Sequence, residues 1–549
     1  MIPGNRAQTS SMITETLFRP RALLARVAAS AGSVAEAVWR SNAFWLLLVV
    51  AAALVLCVPF IRTVHALGEA DEGVILLGAD RLLHGDRLYV DFFEFLPPGS
   101  FLIMAGWFAT VGTSLWSARC LAILVIVGIA CLTYLTCRQV SKRPASSALI
   151  ALAWLVTSPR QGFYMQISHH WFATLFSMMA AWAALAGLGR ERRWLQGPLV
   201  AGLAVGAAAM VTPTRGAAAA LAAATAYLDL RRHLTEAVCF VLACAVVPLC
   251  LLAYVAGNGA LLAAYQDIIE FSSNHYGSAQ GVSYGFGAYG FDFLLAFWFP
   301  LAGLLALIVL LTSWRSALRD GTFRTCIAFG LAGWVGFLPR PDVAHMSWSA
   351  PLVCPLIAYC AVALMRRWRP VYRFIPAAAV IMICMIFARS YSWAIQRELR
   401  ADVVSTPRGE VTYSRNITAG ARETAAWLAA APPHDGYFFY PYMEMLPFLV
   451  ARQHVSRYDL FVPSYTTAEQ YRETCLSVLR NATWVVIDRT WTEDPRMLVG
   501  FYSGPSRPEV QRFEHAMNES FELVQRFGVI EIRHRRRNVD EAVCEDISG

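Results

Sequence analysis

The stretch GEADEGVILLGADRLLHGDRLYVDFFEFLPPG, residues 68–99, sets Glu69, Asp71, Glu72, Asp91 and Glu94 between two of the most apolar segments of the chain. Carboxylates beside a bilayer are costly unless they face water or a partner, so their placement asks for a purpose. Upstream, residues 44–62 match the run of roughly 20 apolar residues that crosses a bilayer as a helix. That run begins too far from the N-terminus, and lacks too clearly a small-residue cleavage site, to read as a removed signal peptide; it is the first span. A second apolar segment opens near residue 97, so the acidic stretch reads as a loop between membrane segments.

The rest of the chain extends this pattern. Of its 549 residues 57% are hydrophobic and only 15% charged, and the mean hydropathy is +0.46, outside the range of ordinary soluble proteins. Apolar segments lie near 44–62, 97–113, 118–137, 146–158, 170–188, 198–212, 216–230, 236–256, 293–312, 325–339, 349–365 and 371–388. The expected fold is a polytopic α-helical membrane protein of about 11–13 transmembrane helices, because only an intrahelical hydrogen-bond ladder satisfies the backbone in lipid.

Arginines 6, 19, 21, 26 and 40 precede the first span and place the N-terminus in the cytoplasm, which puts the acidic stretch outside. Arg366, Arg367 and Arg369 mark a late inside loop, as do CRQVSKRP and GRERRW earlier. Residues 389–549, PRPDVAHMSW and 257–292 then fall outside. An inside start and an outside end require an odd number of crossings, whereas the apolar segments are even in number. The surplus falls between 97 and 137, where one segment is re-entrant or one crossing is missing.

Three regions result: a cytoplasmic segment 1–43, a transmembrane domain 44–390 and an outer α/β domain 391–549. Within the membrane domain, 63–96 and 257–292 are long outer loops. In the first, Ile75, Leu76, Ala79, Leu82 and Leu83 share one helical face, which predicts an interfacial helix lying on the membrane. In the outer domain GYFFYP, TWVVID and GVIEIRH have strand character, while TTAEQYRETCLSVLRN and ITAGARETAAWLAAA have helical periodicity. Eleven of the 13 cysteines are scattered through apolar segments and carry no metal or disulfide pattern; Cys475 and Cys544, in the polar tail, have the option of pairing if that tail faces an oxidising compartment. The net charge of +8 suits an anionic inner leaflet and needs no nucleic-acid partner.

Asp71 and Glu72 are the candidates for a catalytic carboxylate, a general base that takes the proton of an attacking hydroxyl. Asp91 and Glu94 add a second acidic pair at the same mouth. Arg215, in TPTRG, and Arg340, in PRPDVAH, carry the planar fork that matches phosphate oxygens. The competing readings are a snorkelling charge for Arg215 and an ion pair with Asp342 for Arg340. Asp342, His345, His169 and His170 complete the candidate binding set; no metal-ligand spacing is present. GVSYG and GFGAYG, in the second outer loop, match nucleophile and dinucleotide patterns without the strand, turn and helix either needs.

The succession DEG, then GDRLYVDFFEFLPPGSFLIMAGW, then TPTRG and RPDVAH resembles the GT-C membrane glycosyltransferases, in the group of protein O-mannosyltransferases, lipid A aminoarabinose transferases and lipopolysaccharide sugar transferases. The resemblance spans about residues 40–390. It implies a polyprenyl-phosphate-linked sugar donor, inverting transfer to a glycan, lipid or protein acceptor at the outer face of the inner (plasma) membrane, and no tightly bound metal or other cofactor, with a divalent cation left open. Asp71 stands at the position of the catalytic carboxylate, and Arg215 where relatives often have Lys. Leu96 stands where relatives with KPP have Lys, a phosphate contact this chain lacks. A transporter or flippase of lipid-linked glycans is the alternative, and calls for ionisable residues at mid-span and an inverted repeat; a non-catalytic assembly protein is a third. Neither the sugar, the acceptor nor the oligomeric state is legible in any short motif.

Overall fold

The computed structural model describes residues 41–64, 70–158, 166–188, 196–228, 230–276, 281–287, 293–365, 375–413, 420–490 and 507–548. The arginines of the N-terminal segment, the GRERRW loop, Arg366, Arg367 and Arg369, and the end of GFGAYG lie outside them.

Helix α1, Asn42–Cys57, starts where the Ser41 hydroxyl accepts a hydrogen bond from the Phe44 amide. It is apolar all round, and two faces separate only by burial: Trp45, Val49, Ala53 and Leu56 pack inward, while Leu47, Leu48, Leu54 and Val55 stay exposed. Such a helix suits lipid on its outer face. Five helical stretches among the described residues combine the length and apolarity of a membrane crossing: Asn42–Phe60, Leu115–Ser141, His233–Gly257, Leu294–Arg319 and Val343–Met365. Shorter apolar helices accompany them, α3 (Gly99–Val111), α5 (Pro144–Thr157) and α7 (Gln196–Ala209). Between these lie α2 (Ala70–Leu83), α4 (Leu115–Ser141), α6 (His169–Gly187), α8 (Pro213–Ala224) and α9 (Leu230–Gly257).

Small residues hold the middle of the bundle together. A Cβ on Gly202 would meet the Phe240 carbonyl oxygen at 2.5 Å, and one on Gly206 the Cys244 carbonyl oxygen at 2.7 Å. This GxxxG spacing on α7 lets α9 approach backbone to backbone, which is how helices associate in lipid without a hydrophobic drive.

Helix α3 is a short apolar helix in the stretch where the count of segments and the charge pattern disagree. Its 13 residues rise only about 20 Å, short of the roughly 30 Å hydrocarbon core. Both of its ends contact other segments of the chain. At the start Gly99 donates its amide to Met210, beside the TPTRG break. Near the end Phe108 stacks on Phe448 of the C-terminal domain, and the following Leu115 amide donates to Arg408 of the same domain.

The C-terminal region contains two small sheets. In one, β1 (Thr63–Val64), from the first outer loop, pairs in parallel with β3 (Gly409–Tyr413), which is antiparallel to β2 (Asp402–Thr406). In the other the order is β4 (Tyr437–Tyr440), β5 (Trp484–Asp488), β7 (Ile530–Arg535), β6 (Phe521–Phe527), with only β4 and β5 parallel. The predicted strands are thus β4, β5 and β7. The predicted helices form as Ala421–Ala430 and Ala468–Asn481; the second starts on a Thr467/Gln470 capping box, whereas Gly420 occupies the N-cap of the first. Cys475 and Cys544 are joined by a disulfide, with Cα atoms 5.7 Å apart.

The apolar face of helix α2 is covered over its first part: Ile75, Leu76 and Ala79 are fully buried, packed between α3 and the short helix Met445–Val450 of the C-terminal domain, while Leu83 is exposed. Gly73 is the point of closest approach, since a Cβ there would meet the Met445 amide nitrogen at 2.5 Å. The first part of that face seats a domain.

Candidate active site

Asp71 and Glu72 occupy the first turn of α2, and the turn separates them. Successive helical residues point about 100° apart. Glu72 is fully buried, paired with Arg119 of α4 at 2.7 Å and accepting the Ile167 amide at 3.0 Å. Arg119 also donates to the Thr63 carbonyl, 3.1 Å away. Glu72 is thereby a clamp that fixes the start of α2, and the structure does not direct it toward a reactant. Asp71 faces the other way, into a cleft of about 700 Å³ including its open mouth. Water reaches its side chain there, yet protein encloses the carboxyl, and burial pushes its pKa above the ordinary aspartate value while His345 and Arg340 pull it back.

Those two partners belong to the RPDVAH segment. Asp342 caps the helix Val343–Ser349 by accepting the His345 amide at 2.9 Å. The same carboxylate accepts Nδ1 of His345 at 2.8 Å and Nε of Arg340 at 2.7 Å. Asp342 thus orients a cation and an imidazole rather than reacting itself. The second outer loop rests on this segment: Gly285 donates to the Pro341 carbonyl and Val343 to that of Phe286. The serine of GVSYG sits in this turn, without the strand-to-helix setting a nucleophile needs.

Behind His345 the candidate residues stack. The His170 ring lies 4.8 Å from that of His345, 4.2 Å from that of Trp348 and 3.9 Å from that of His169. Arg215, in the first turn of α8, is 6% exposed and donates Nη1 to Thr174 at 3.4 Å. Its Nη2 finds no hydrogen-bond partner among the described residues, and neither do Nδ1 of His169, Nδ1 of His170 or Nε1 of Trp348. Buried polar atoms are normally satisfied, so several orphans in one place mark where a ligand or ordered water belongs. A guanidinium among them favours an anion.

The remaining candidates divide. Glu94 lines the same cleft as Asp71 and His169. Asp91 does not: it is bound to Arg87 at 3.0 Å near the surface and holds the loop in shape. Several residues of the site carry no sequence signal. Phe271 and Tyr276 come from a π-helical turn, Gln266–Tyr276, in the second loop, and Asp459, Tyr465 and Gln470 from the C-terminal domain. Glu444 is buried against α2 with both carboxyl oxygens unpartnered among the described residues. Burial, then Asp459 and Asp71, holds its pKa well above the glutamate range. Nothing local distinguishes these residues in the sequence; only the docking of the domain on α2 brings them to Asp71.

No protein-family model and no curated protein sequence matches this chain. Solved structures do. ArnT from Cupriavidus metallidurans bound to undecaprenyl phosphate superposes with a TM-score of 0.56 at 14% identity, over 91% of this chain and 99% of ArnT. The same protein in the apo state gives 0.53 at 13% identity, over 90% and 98%. The arabinofuranosyltransferase AftD from Mycobacteria gives 0.51 at 14% identity, over 90% of this chain but 40% of AftD. Identities this low speak for architecture alone, and that architecture, a helical membrane bundle carrying small C-terminal sheets, is of the GT-C type that ArnT and AftD share.

Proposed function

We propose that this chain is an integral-membrane glycosyltransferase that moves a sugar from a polyprenyl-phosphate carrier to a hydroxyl of a cell-envelope acceptor, with inversion, at the extracytoplasmic face. One observation carries the reading: Asp71, a carboxylate that lines a cleft, lies within electrostatic reach of Arg340 and His345, near Arg215 and two histidines that each keep an unpartnered nitrogen among the described residues. The GT-C fold supports it, as does the undecaprenyl phosphate bound by ArnT, which shares that fold.

Asp71 takes the proton from the acceptor hydroxyl. The acceptor oxygen bonds to the anomeric carbon from the face opposite the phosphate as the carbon–oxygen bond to phosphate breaks, and that electron pair leaves on the carrier phosphate. Arg340 and Arg215 stabilise the departing charge, worth most in an enclosed site. Positioning supplies the rest, since a glycosyl phosphate is already activated. A base whose pKa is raised toward working pH is a better match to a hydroxyl proton than an ordinary aspartate. Orientation follows the charge pattern: the arginine-rich N-terminus in the cytoplasm and the disulfide-bonded domain in an oxidising outer compartment of the inner membrane.

The test has two stages. Mass spectrometry of envelope glycans and glycolipids, with and without the gene, names the product. In purified membranes Asp71→Asn is then expected to lower transfer by about 10²–10⁴-fold while leaving insertion and undecaprenyl phosphate binding intact. Wild-type turnover by that variant refutes the base assignment, and an unchanged envelope alongside altered glycolipid flipping supports the transporter reading.

A further inference from the structure

The cleft has an aromatic half, which shares its lining with Asp71 and which Arg215 does not line. Its wall is a corner of three rings from three separate segments: Phe95 lies 4.7 Å from Tyr276 and 6.1 Å from Tyr465, and the two tyrosines are 5.6 Å apart. Glu94 lines this half at 6% exposure, and its carboxyl has no hydrogen bond or ion pair among the described residues. Gln470 lines it too. The Thr467 amide takes Oε1 of Gln470 at 2.9 Å, so its Nε2 is left for the cleft. No Lys or Arg is among the lining residues. The nearby Arg81 is committed to Asp459 at 3.1 Å and Asp86 at 2.9 Å.

We infer that this half is the acceptor subsite and that it takes an uncharged sugar residue, its carbon–hydrogen face against the Phe95–Tyr276–Tyr465 corner and its hydroxyls on Glu94 and Gln470. The inference rests on the transferase reading of Asp71. A sugar ring has one apolar face and a rim of groups that both donate and accept, which is what aromatic faces beside a carboxyl and an amide match. An anionic acceptor would meet Asp71 and Asp459, and Arg340, the cation near Tyr276, is already engaged by Asp342. A cationic one would pair with Asp71 and occupy the base. Burial, together with Asp459, Glu444 and Asp267, holds the Glu94 pKa well above the glutamate range, so it serves as a neutral carboxyl able to donate as well as accept. The outer domain, which supplies Tyr465 and Gln470, thereby selects the acceptor.

The experiment uses the full chain in lipid nanodiscs. Saturation-transfer NMR titrations with methyl glycosides of common hexoses and pentoses are set beside the 6-phosphate and 2-amino counterparts of the hexosides. At least one uncharged glycoside is expected to bind, with its charged counterparts weaker. Tyr465→Ala and Gln470→Ala are each expected to weaken it by about five-fold, Tyr465→Phe to retain it, and none to shift undecaprenyl phosphate affinity, which also reports that the variants are folded. Equal or tighter binding of the phosphorylated or amino glycosides overturns the inference, as does the absence of any glycoside binding, or variants that impair the lipid phosphate and spare the sugar. Loss of undecaprenyl phosphate binding by the wild-type chain counts against the transferase reading instead, so the two failures are distinct.

Discussion

Adjacent on one helical turn, Asp71 and Glu72 have opposite surroundings, and the difference predicts opposite responses to the same isosteric change. Removing one partner of a buried ion pair leaves the other charge uncompensated, at a cost of about 3–5 kcal/mol. Glu72→Gln should therefore strand Arg119 and lower the thermal unfolding temperature markedly in detergent, whereas Asp71→Asn, which removes an enclosed carboxylate, should leave that temperature unchanged or raise it. A scan in which both variants melt alike would sink the division of roles. Sequence reasoning selects the acidic pair but not which member faces the cleft, because the partners of Glu72, Arg119 and the Ile167 amide, lie 47 and 95 residues away along the chain.

At the scale of single elements, the π-helical turn Gln266–Tyr276 is the outer loop's contribution to the cleft. It docks on the C-terminal domain through Asp267, 3.4 Å from Arg457, and through the Phe271 ring, 4.9 Å from that of Phe93. Burial, only partly offset by Arg457, pushes the Asp267 pKa up to about 7. The docked state therefore favours the protonated side chain. Its contribution is full below the ordinary aspartate pKa, about 4, and fades as pH rises through about 7. Amide exchange over 266–276, corrected for its intrinsic pH dependence, should be faster at pH 8 than at pH 6, and Asp267→Asn should remove that difference. Protection that does not change between the two pH values in the wild-type chain would count against this docking. The composition of the loop points to a cover over a site; the π-helical turn and its docking surface do not follow from composition, since they depend on a domain that begins more than 100 residues later.

Over the whole molecule, the C-terminal domain is bound to the helical half by contacts of several kinds. Strand β1 pairs with β3, Arg408 bonds Asp80 at 2.8 Å, Arg81 bonds Asp459, and Phe108 stacks on Phe448. Within the domain the Cys475–Cys544 bridge ties the helix Ala468–Asn481 to the C-terminal turn across 69 residues. A loop of that length gives a chain-entropy stabilisation of about 4 kcal/mol. Cys475→Ser should accordingly loosen the C-terminal turn, seen as faster proteolysis after residue 535. Thiol labelling of the unfolded wild-type chain should show both cysteines blocked until reduction; free thiols at 475 and 544 without reductant would refute the bridge.

Hydropathy and charge by themselves determined the membrane class, the C-terminal α/β region and the residues Asp71, Arg215, Arg340, Asp342, His345, His169, His170 and Glu94 as candidates. These are local properties: apolar runs, helix breaks and charged groups placed where lipid makes them costly. Only the tertiary structure decided that α2 seats a domain, that Glu72 pairs with Arg119 and Asp91 with Arg87, and that Tyr276, Tyr465 and Gln470 share the cleft with Asp71. Each of those outcomes depends on which surfaces meet across long stretches of chain, and an apolar helical face reads the same whether lipid or protein finally covers it.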